Sequence, residues 1–336
     1  MNQFTPSPLS RDPARSAVIK ARFQKLGTVA SAILFIASLV VLWHIVSDVG
    51  IEGIRSALAN ANREQLMIAG GFTALSYLLL TFYDVLALKQ LGVTMPYRAK
   101  ALGSYTSFSI SFTLGFPLIT AATVRYWIYS RHGVSAAKVA SITLIAGVTF
   151  WLGMALVIAF GLLAETRAVG AINHLPTKMN HLIGVAVLAV ILFYLVWVGM
   201  KRRAVRVQKW LIELPSFRVS LAQLALGAAD VCAAAAVLYV LLPQGHGIEF
   251  PMFAAIYAFA CILGIASHAP GGLGVFEATM LLAFAWVPQN AMLGALFLFR
   301  IIYYVIPFVL ALALLGAYEI ARHLKTYRER EEQERE

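Results

Sequence analysis

Six ionisable side chains lie within or beside apolar segments that are long enough to cross a bilayer. They are Asp84, Arg125, Asp230, Glu277, Arg300 and Glu319. A charge at the centre of a bilayer costs about 2.5–3.5 kcal/mol on insertion scales. These groups are therefore expected to face a protein interior, to pair with one another or to lie at the membrane interface. The chemistry they offer is ion pairing or the binding of a charged head group.

Arg300 lies near the middle of a long apolar run. Its guanidinium would bind a phosphate bidentately, or it would neutralise Glu277 or Asp84, and both alternatives stay open. Glu277 lies on the first helical turn after a glycine-rich break, where the helix dipole favours a carboxylate without any further role. Arg125 and Glu319 have a simpler alternative, in which they mark helix ends and extend to the cytoplasmic surface.

The break itself is "SHAPGGLGVFEAT", residues 267–279. His268 precedes it, and a lone histidine in such a loop is more often a structural hydrogen-bonding group than a ligand. Tyr126 and Tyr304, like Tyr83 and Tyr303, are either interface anchors or cavity lining. The predicted substrate-binding set is Arg300, Glu277, Arg125, Asp84, Tyr126, Tyr304, His268, Gly271, Gly272 and Asp230.

The composition sets the class of protein. The chain has 336 residues, of which 60% are hydrophobic and 13% charged, whereas a soluble domain carries roughly 25% charged residues. This predicts an all-α polytopic membrane protein. The net charge of +11 comes from basic residues at the ends of apolar segments, which is typical of topology signals and not of a nucleic-acid surface. Cys232 and Cys261 lie inside apolar segments and predict neither a disulfide framework nor a metal site.

The apolar segments predict about eight crossings plus a re-entrant hairpin at 101–120, whose two flanks are both basic. Both termini are then cytoplasmic, with a basic N-terminal segment at 1–26, a membrane domain at 27–320 and a charged tail at 321–336. The predicted crossings are 27–47, 66–88, 139–163, 182–200, 219–242, 251–267, 274–287 and 291–318. The segment 274–287 is the weakest, because it spans only about 21 Å at 1.5 Å per residue.

Two of the predicted helices are discontinuous, near 114–120 and near 268–274. Paired breaks in two halves of a membrane protein favour a binding site near the midplane. Catalytic motifs are sparse, since the sequence has no HExxH, P-loop or GxSxG pattern, and no cofactor is expected. A dyad of Ser267 with His268 would lack an oxyanion hole.

At "SHAPGGLGVFEATMLL", 267–282, the sequence resembles the transmembrane region of the lysylphosphatidylglycerol synthases, the bacterial multiple peptide resistance factor family. The resemblance extends over most of residues 65–320. It includes "YDVLALKQLG" at 83–92, "ATVRYWIYSRHGVS" at 122–135, "VTFWLG" at 148–153, "ADVCAAAAVLYVLLP" at 229–243 and "FRIIYYVIPFVLALALLGAYE" at 299–319.

The resemblance implies a lipid translocase of the bacterial inner membrane that moves phosphatidylglycerol or its aminoacylated form between leaflets. The sequence stops at "KTYREREEQERE", so the translocation module is expected without the cytoplasmic aminoacyltransferase domain, either as a stand-alone relative or as the membrane half of a longer protein. A separate aminoacyltransferase partner and a homo-oligomer are both open. Two other functions also stay open: a membrane scaffold for a lipid-modifying enzyme, and an intramembrane enzyme acting on lipid-linked substrates.

Overall fold

The computed structural model describes most of the chain after residue 61. The described ranges are 62–115, 117–173, 175–200, 204–207, 210–213, 215–267 and 270–333. The predicted N-terminal segment 1–26, the predicted first crossing 27–47 and His268 lie outside them.

The described residues form an all-α polytopic membrane protein, as the sequence predicts. The helices are α1 (Arg63–Gln90), α2 (Tyr97–Leu114), α3 (Pro117–Tyr129), α4 (Ala136–Ala164), α5 (Thr166–Asn173), α6 (Thr177–Met200), α7 (Phe217–Leu241), α8 (Phe250–Ala266), α9 (Val275–Ala283), α10 (Gln289–Phe299) and α11 (Ile306–Gln333). A short antiparallel hairpin of β1 (Ala204–Val207) and β2 (Trp210–Glu213) connects α6 to α7.

Five helical stretches among the described residues are long and apolar enough to cross a membrane by length and composition. They are Arg63–Gln90, Ala136–Ala164, Thr177–Met200, Phe217–Leu241 and Gln289–Leu324. Each of them overlaps a predicted crossing. Large apolar side chains such as Leu192 and Phe193 of α6 are exposed, which is the expected arrangement for helix faces in contact with lipid.

The first broken segment is a helical hairpin. α2 ends at Leu114, Gly115 has a positive φ of 81°, and α3 begins at Pro117 and packs back along α2. Gly115 makes this reversal possible because it has no Cβ to oppose a positive φ. Pro117 suits the first helical position because that position needs no backbone N–H. The predicted hairpin is present, with its break inside the predicted range 101–120, and its second arm continues to Tyr129.

The second broken segment is also a hairpin. α8 is followed by a short 3₁₀ turn at Pro270–Gly272 and then by α9, which packs back against α8. Gly271, Gly272 and Gly274 all have positive φ values. The nine residues of α9 span only about 14 Å at 1.5 Å per residue, well short of the roughly 30 Å hydrocarbon core. The weakest predicted crossing is thus the return arm of a hairpin.

The two breaks meet inside the protein. A Cβ on Gly271 would lie 3.4 Å from the carbonyl oxygen of Phe112 and 3.7 Å from that of Thr113. The turn of the second hairpin therefore rests on the last turn of α2. The hydroxyl of Thr113 donates back to the carbonyl of Ser109, so this Ser- and Thr-rich helix satisfies its own polar groups.

The helices α1, α4 and α7 pack together at the centre of the described fold. α4 and α7 approach closely at Gly153 and Gly227, where a Cβ on either residue would overlap the backbone of the other helix. The long contact between α1 and α7 places Asp230 of α7 against Ser76 and Tyr83 of α1. This packing decides which polar side chains meet in the interior.

Candidate functional site

Arg125 of α3 and Asp84 of α1 form a buried bidentate ion pair. The Arg125 Nε donates to Asp84 Oδ2 and its Nη2 to Oδ1, both at 2.8 Å. The side chains are only 1% and 0% exposed. The hydroxyl of Tyr129 also donates to Asp84 Oδ2 at 2.6 Å, and the guanidinium lies 4.8 Å from the ring centroid of Phe108. Arg125 is therefore an interior residue and not a helix end that extends to the surface.

Arg300 and Glu277 form a second ion pair, at the break of the second hairpin. Arg300 Nε donates to Glu277 Oε1 at 2.7 Å, and Nη1 donates to the Gly271 carbonyl at 2.6 Å. Glu277 Oε2 accepts from the backbone N–H of Gly274 at 2.8 Å. Glu277 thus caps α9 and pairs with Arg300 at once. The side chains are 14% and 21% exposed, so this pair is more accessible than the first.

One nitrogen of Arg300 is not fully used. Nη2 lies 2.6 Å from Glu277 Oε1 as part of the ion pair, and this buried nitrogen makes no further hydrogen bond among the described residues. The guanidinium also lies 4.7 Å from the ring centroid of Tyr304 and 5.4 Å from that of Phe276. The two aromatic rings pack against the guanidinium, and an anionic oxygen that replaced the Glu277 carboxylate would accept from the same nitrogens.

Arg300 begins a π-helical segment, Arg300–Val305, between α10 and α11. Such segments are rare and occur frequently at functional sites. This one carries three of the side chains that matter here, Arg300, Tyr303 and Tyr304. Tyr303 stacks on Phe299 with a centroid distance of 5.3 Å and an interplanar angle of 10°.

Asp230 is the second buried acid, after Asp84, and two hydroxyl groups donate to it. Ser76 Oγ donates to Oδ1 at 2.6 Å, and the Tyr83 hydroxyl donates to Oδ2 at 3.0 Å. Ser76 Oγ also lies 2.9 Å from the hydroxyl of Tyr303. The carboxylate is 3% exposed. Across residues 62–333, wherever the structure describes them, no cation forms an ion pair with it.

The predicted site residues thus separate into three places. Arg300, Glu277, Gly271 and Tyr304 come together at the second break, which we call the Arg300 cluster. Asp84 and Arg125 form a separate buried pair, and Asp230 forms the third place with Ser76 and Tyr83. The remaining predicted residues have other roles or positions: Gly272 packs on Gly264, Tyr126 packs in an apolar cluster, and His268 lies outside the described residues. Glu319, which was not in the predicted set, pairs with Arg131 and Arg322.

The prediction missed two residues, Ser76 and Tyr129. Both carry a weak signal at helical spacing. Tyr129 follows Arg125 by four residues and Ser76 precedes Tyr83 by seven, so each shares a helix face with a residue already noted. The described part of the chain has no cluster of three His, Cys, Asp or Glu side chains that would suit a metal ion.

Comparison with known proteins gives the family. A sequence model described as the lysylphosphatidylglycerol synthase TM region matches residues 28–311. The Synechocystis sp. protein slr0712 is 33% identical over 319 residues, which cover 94% of this chain and 98% of that protein. The inner membrane protein YbhN of Escherichia coli is 28% identical over 83% of this chain and 88% of its own length.

The phosphatidylglycerol lysyltransferase of Staphylococcus haemolyticus is 26% identical over 306 residues. The match covers 89% of this chain and only 34% of that enzyme. The similarity to the lysyltransferase is thus confined to about a third of its length. The chain belongs to the family of the lysylphosphatidylglycerol synthase transmembrane region.

Proposed function

We propose that this protein translocates a phospholipid, an aminoacylated phosphatidylglycerol, between the leaflets of a bacterial inner membrane. The observation that carries the proposal is the Arg300 cluster. It places a partly accessible guanidinium, paired with Glu277, where two broken hairpins meet. Broken helices within membrane proteins commonly form binding sites of this kind.

The charges of the cluster match those of the proposed lipid. An aminoacylated phosphatidylglycerol head group carries a phosphate anion and an ammonium cation. Arg300 would bind the phosphate and Glu277 the ammonium, so that the head group replaces the ion pair that the two side chains form with each other. This exchange keeps both protein charges compensated, which matters because a charge that is largely removed from water is destabilising when it has no partner.

The surfaces beside the breaks suit acyl chains. Leu273, in the second break, is 50% exposed, and Leu118 and Ile119, at the start of α3, are also exposed. Apolar side chains that face outward next to a polar cluster allow the head group to enter the protein while the acyl chains stay in lipid. The names of the lysyltransferase relatives, which match over this same region, support phosphatidylglycerol as the lipid that carries the head group.

A leaflet assay in proteoliposomes tests the proposal. Purified protein is reconstituted with fluorescent phosphatidylglycerol or its fluorescent lysyl ester, and the outer-leaflet label is then quenched. We expect quenching beyond the half reached in protein-free vesicles, and we expect Arg300→Ala to abolish the excess. Arg131→Ala is the matched control, because Arg131 pairs with Glu319 in an exposed position away from the cluster.

Two results would contradict the proposal. Quenching that stops at half for both lipids would show that the chain does not move them, and would favour the scaffold alternative. Excess quenching that Arg300→Ala leaves unchanged would move the head-group site elsewhere in the protein.

A further inference from the structure

We propose that Asp230 is a proton-binding site that couples lipid translocation to a proton gradient. This inference rests on the proposed function. The proton gradient would be the driving force for the translocation. The starting point is the contrast between Asp230 and the two acids that form ion pairs within the fold. Asp84 has Arg125 and Glu277 has Arg300, whereas the partners of Asp230 are hydroxyl groups.

A buried carboxylate without a cation is costly in its charged form, and a proton removes that cost. The hydroxyl groups of Ser76 and Tyr83 each donate to one carboxylate oxygen. Their hydrogen bonds support the ionised form but bring no positive charge. Asp230 is therefore suited to exchange between a charged and a neutral state, since neither form is locked by an ion pair.

The surroundings contain no stronger competitor for the proton. The titratable groups that interact with Asp230 are weak acids: Tyr77 and Tyr83 on α1, Tyr303 on the π-helical segment, Cys261 on α8 and Cys232 on its own helix. The largest influences on the protonation of Asp230 are its burial and its hydrogen bonds with Ser76 and Tyr83. Over the described residues no lysine, arginine or histidine takes part.

A chain of hydrogen bonds links Asp230 to the π-helical segment. The single hydroxyl hydrogen of Ser76 is donated to Asp230. The Tyr303 hydroxyl must therefore be the donor in its hydrogen bond with Ser76. When a proton occupies Oδ1, Ser76 has to accept from Asp230 and donate to Tyr303 instead. The direction of the whole chain reverses, and the Tyr303 hydroxyl loses its acceptor.

This reversal reaches the head-group site through a short segment. Tyr303 lies three residues after Arg300 in the same π-helical segment, and Tyr304 stacks on the Arg300 guanidinium. A change in the hydrogen bonding of Tyr303 therefore acts on the segment that positions Arg300. Protonation of Asp230 and exchange of the Arg300–Glu277 pair for a head group would then favour one another.

The first arm of the test measures the proton directly and needs no transport. Infrared difference spectra of purified protein are recorded during a pH titration, and the C=O stretch of a protonated carboxylic acid is followed. We expect Asp230→Asn to remove one titrating carboxylic acid band, and Glu319→Gln, at an exposed acid, to leave that band in place. If the Asp230→Asn variant keeps every titrating carboxylic acid band of the parent protein, Asp230 is not the proton-binding site.

The second arm measures coupling in the proteoliposome assay, with and without an imposed pH gradient. We expect the gradient to change the rate of the parent protein by about tenfold or more. Asp230→Asn should translocate at a rate that the gradient does not affect, and Asp230→Glu should regain the dependence. Tyr303→Phe keeps the stacked ring and removes the hydroxyl, so it tests the relay if Asp230→Asn fails to fold.

The outcomes separate this inference from the proposed function. A parent protein that translocates lipid at one rate under all gradients overturns the coupling and leaves the proposed function in place. A parent protein that translocates no lipid under any gradient overturns the proposed function and the coupling together, while the infrared arm still decides the proton site.

Discussion

Tyr83 and Asp84 are neighbours on α1 and bind two different polar networks. The Tyr83 hydroxyl donates to Asp230 of α7, and the Asp84 carboxylate binds Arg125 of α3. Successive residues on a helix point about 100° apart, so one turn of α1 contacts α7 through Tyr83 and α3 through Asp84. α1 is thus the element through which the buried ion pair and the buried acid share one framework.

The buried pair is expected to be structural. Arg125→Met should leave Asp84 charged and unpaired, which costs about 3–5 kcal/mol when one member of a buried pair is removed. The double variant Arg125→Met with Asp84→Leu should recover much of that loss. The thermal unfolding midpoint of the purified protein checks both. A double variant no more stable than Arg125→Met alone would show that the loss does not come from the unpaired charge.

Tyr129→Phe is expected to destabilise the protein by about 1.5–3 kcal/mol, because it removes a hydrogen bond to a charged carboxylate. Tyr126→Phe is the matched control, since the ring of Tyr126 packs in an apolar cluster three residues earlier on α3. Thermal unfolding of the two variants gives the comparison. Equal midpoints would place the stabilisation in the ring of Tyr129 and not in its hydroxyl.

Glu277→Gln should change lipid selectivity. The amide oxygen can still accept from the Gly274 N–H, so the cap of α9 is retained, but the negative charge that would meet an ammonium is lost. We expect the rate for the lysyl ester to fall at least fivefold relative to that for phosphatidylglycerol. The ratio of the two rates in the leaflet assay measures this. An unchanged ratio would remove Glu277 from ammonium recognition.

Gly272→Ala is expected to destabilise the second hairpin by at least about 1–2 kcal/mol, the cost of a positive φ for a residue with a Cβ. The new methyl would also lie 3.1 Å from the Gly264 Cα. Gly294→Ala is the control, because its Cβ would meet nothing within 4 Å and alanine favours the helix. Thermal unfolding should therefore separate the two substitutions, and equal midpoints would show that the break tolerates a Cβ.

The sequence by itself determined the membrane class, the apolar helices and both breaks. These features depend on local properties: hydropathy over about 20 residues, and glycine or proline where the backbone must turn. The breaks at Gly115 and at Gly271–Gly274 could be predicted from the sequence for this reason. The candidate residues could also be identified from the sequence, because a charged residue inside an apolar segment is detected without knowledge of its contacts.

The partners were decided only by the tertiary structure. Before folding, Arg300 had Glu277 and Asp84 as equivalent acids, and Arg125 had a surface alternative. The packing of α3 against α2 and α4 brought Arg125 to Asp84 of α1, and the second hairpin brought Glu277 to Arg300. The contact between α1 and α7 gave Asp230 two hydroxyl partners. Pairing depends on which helix faces meet across long stretches of chain, and that is a property of the packed interior and not of local sequence.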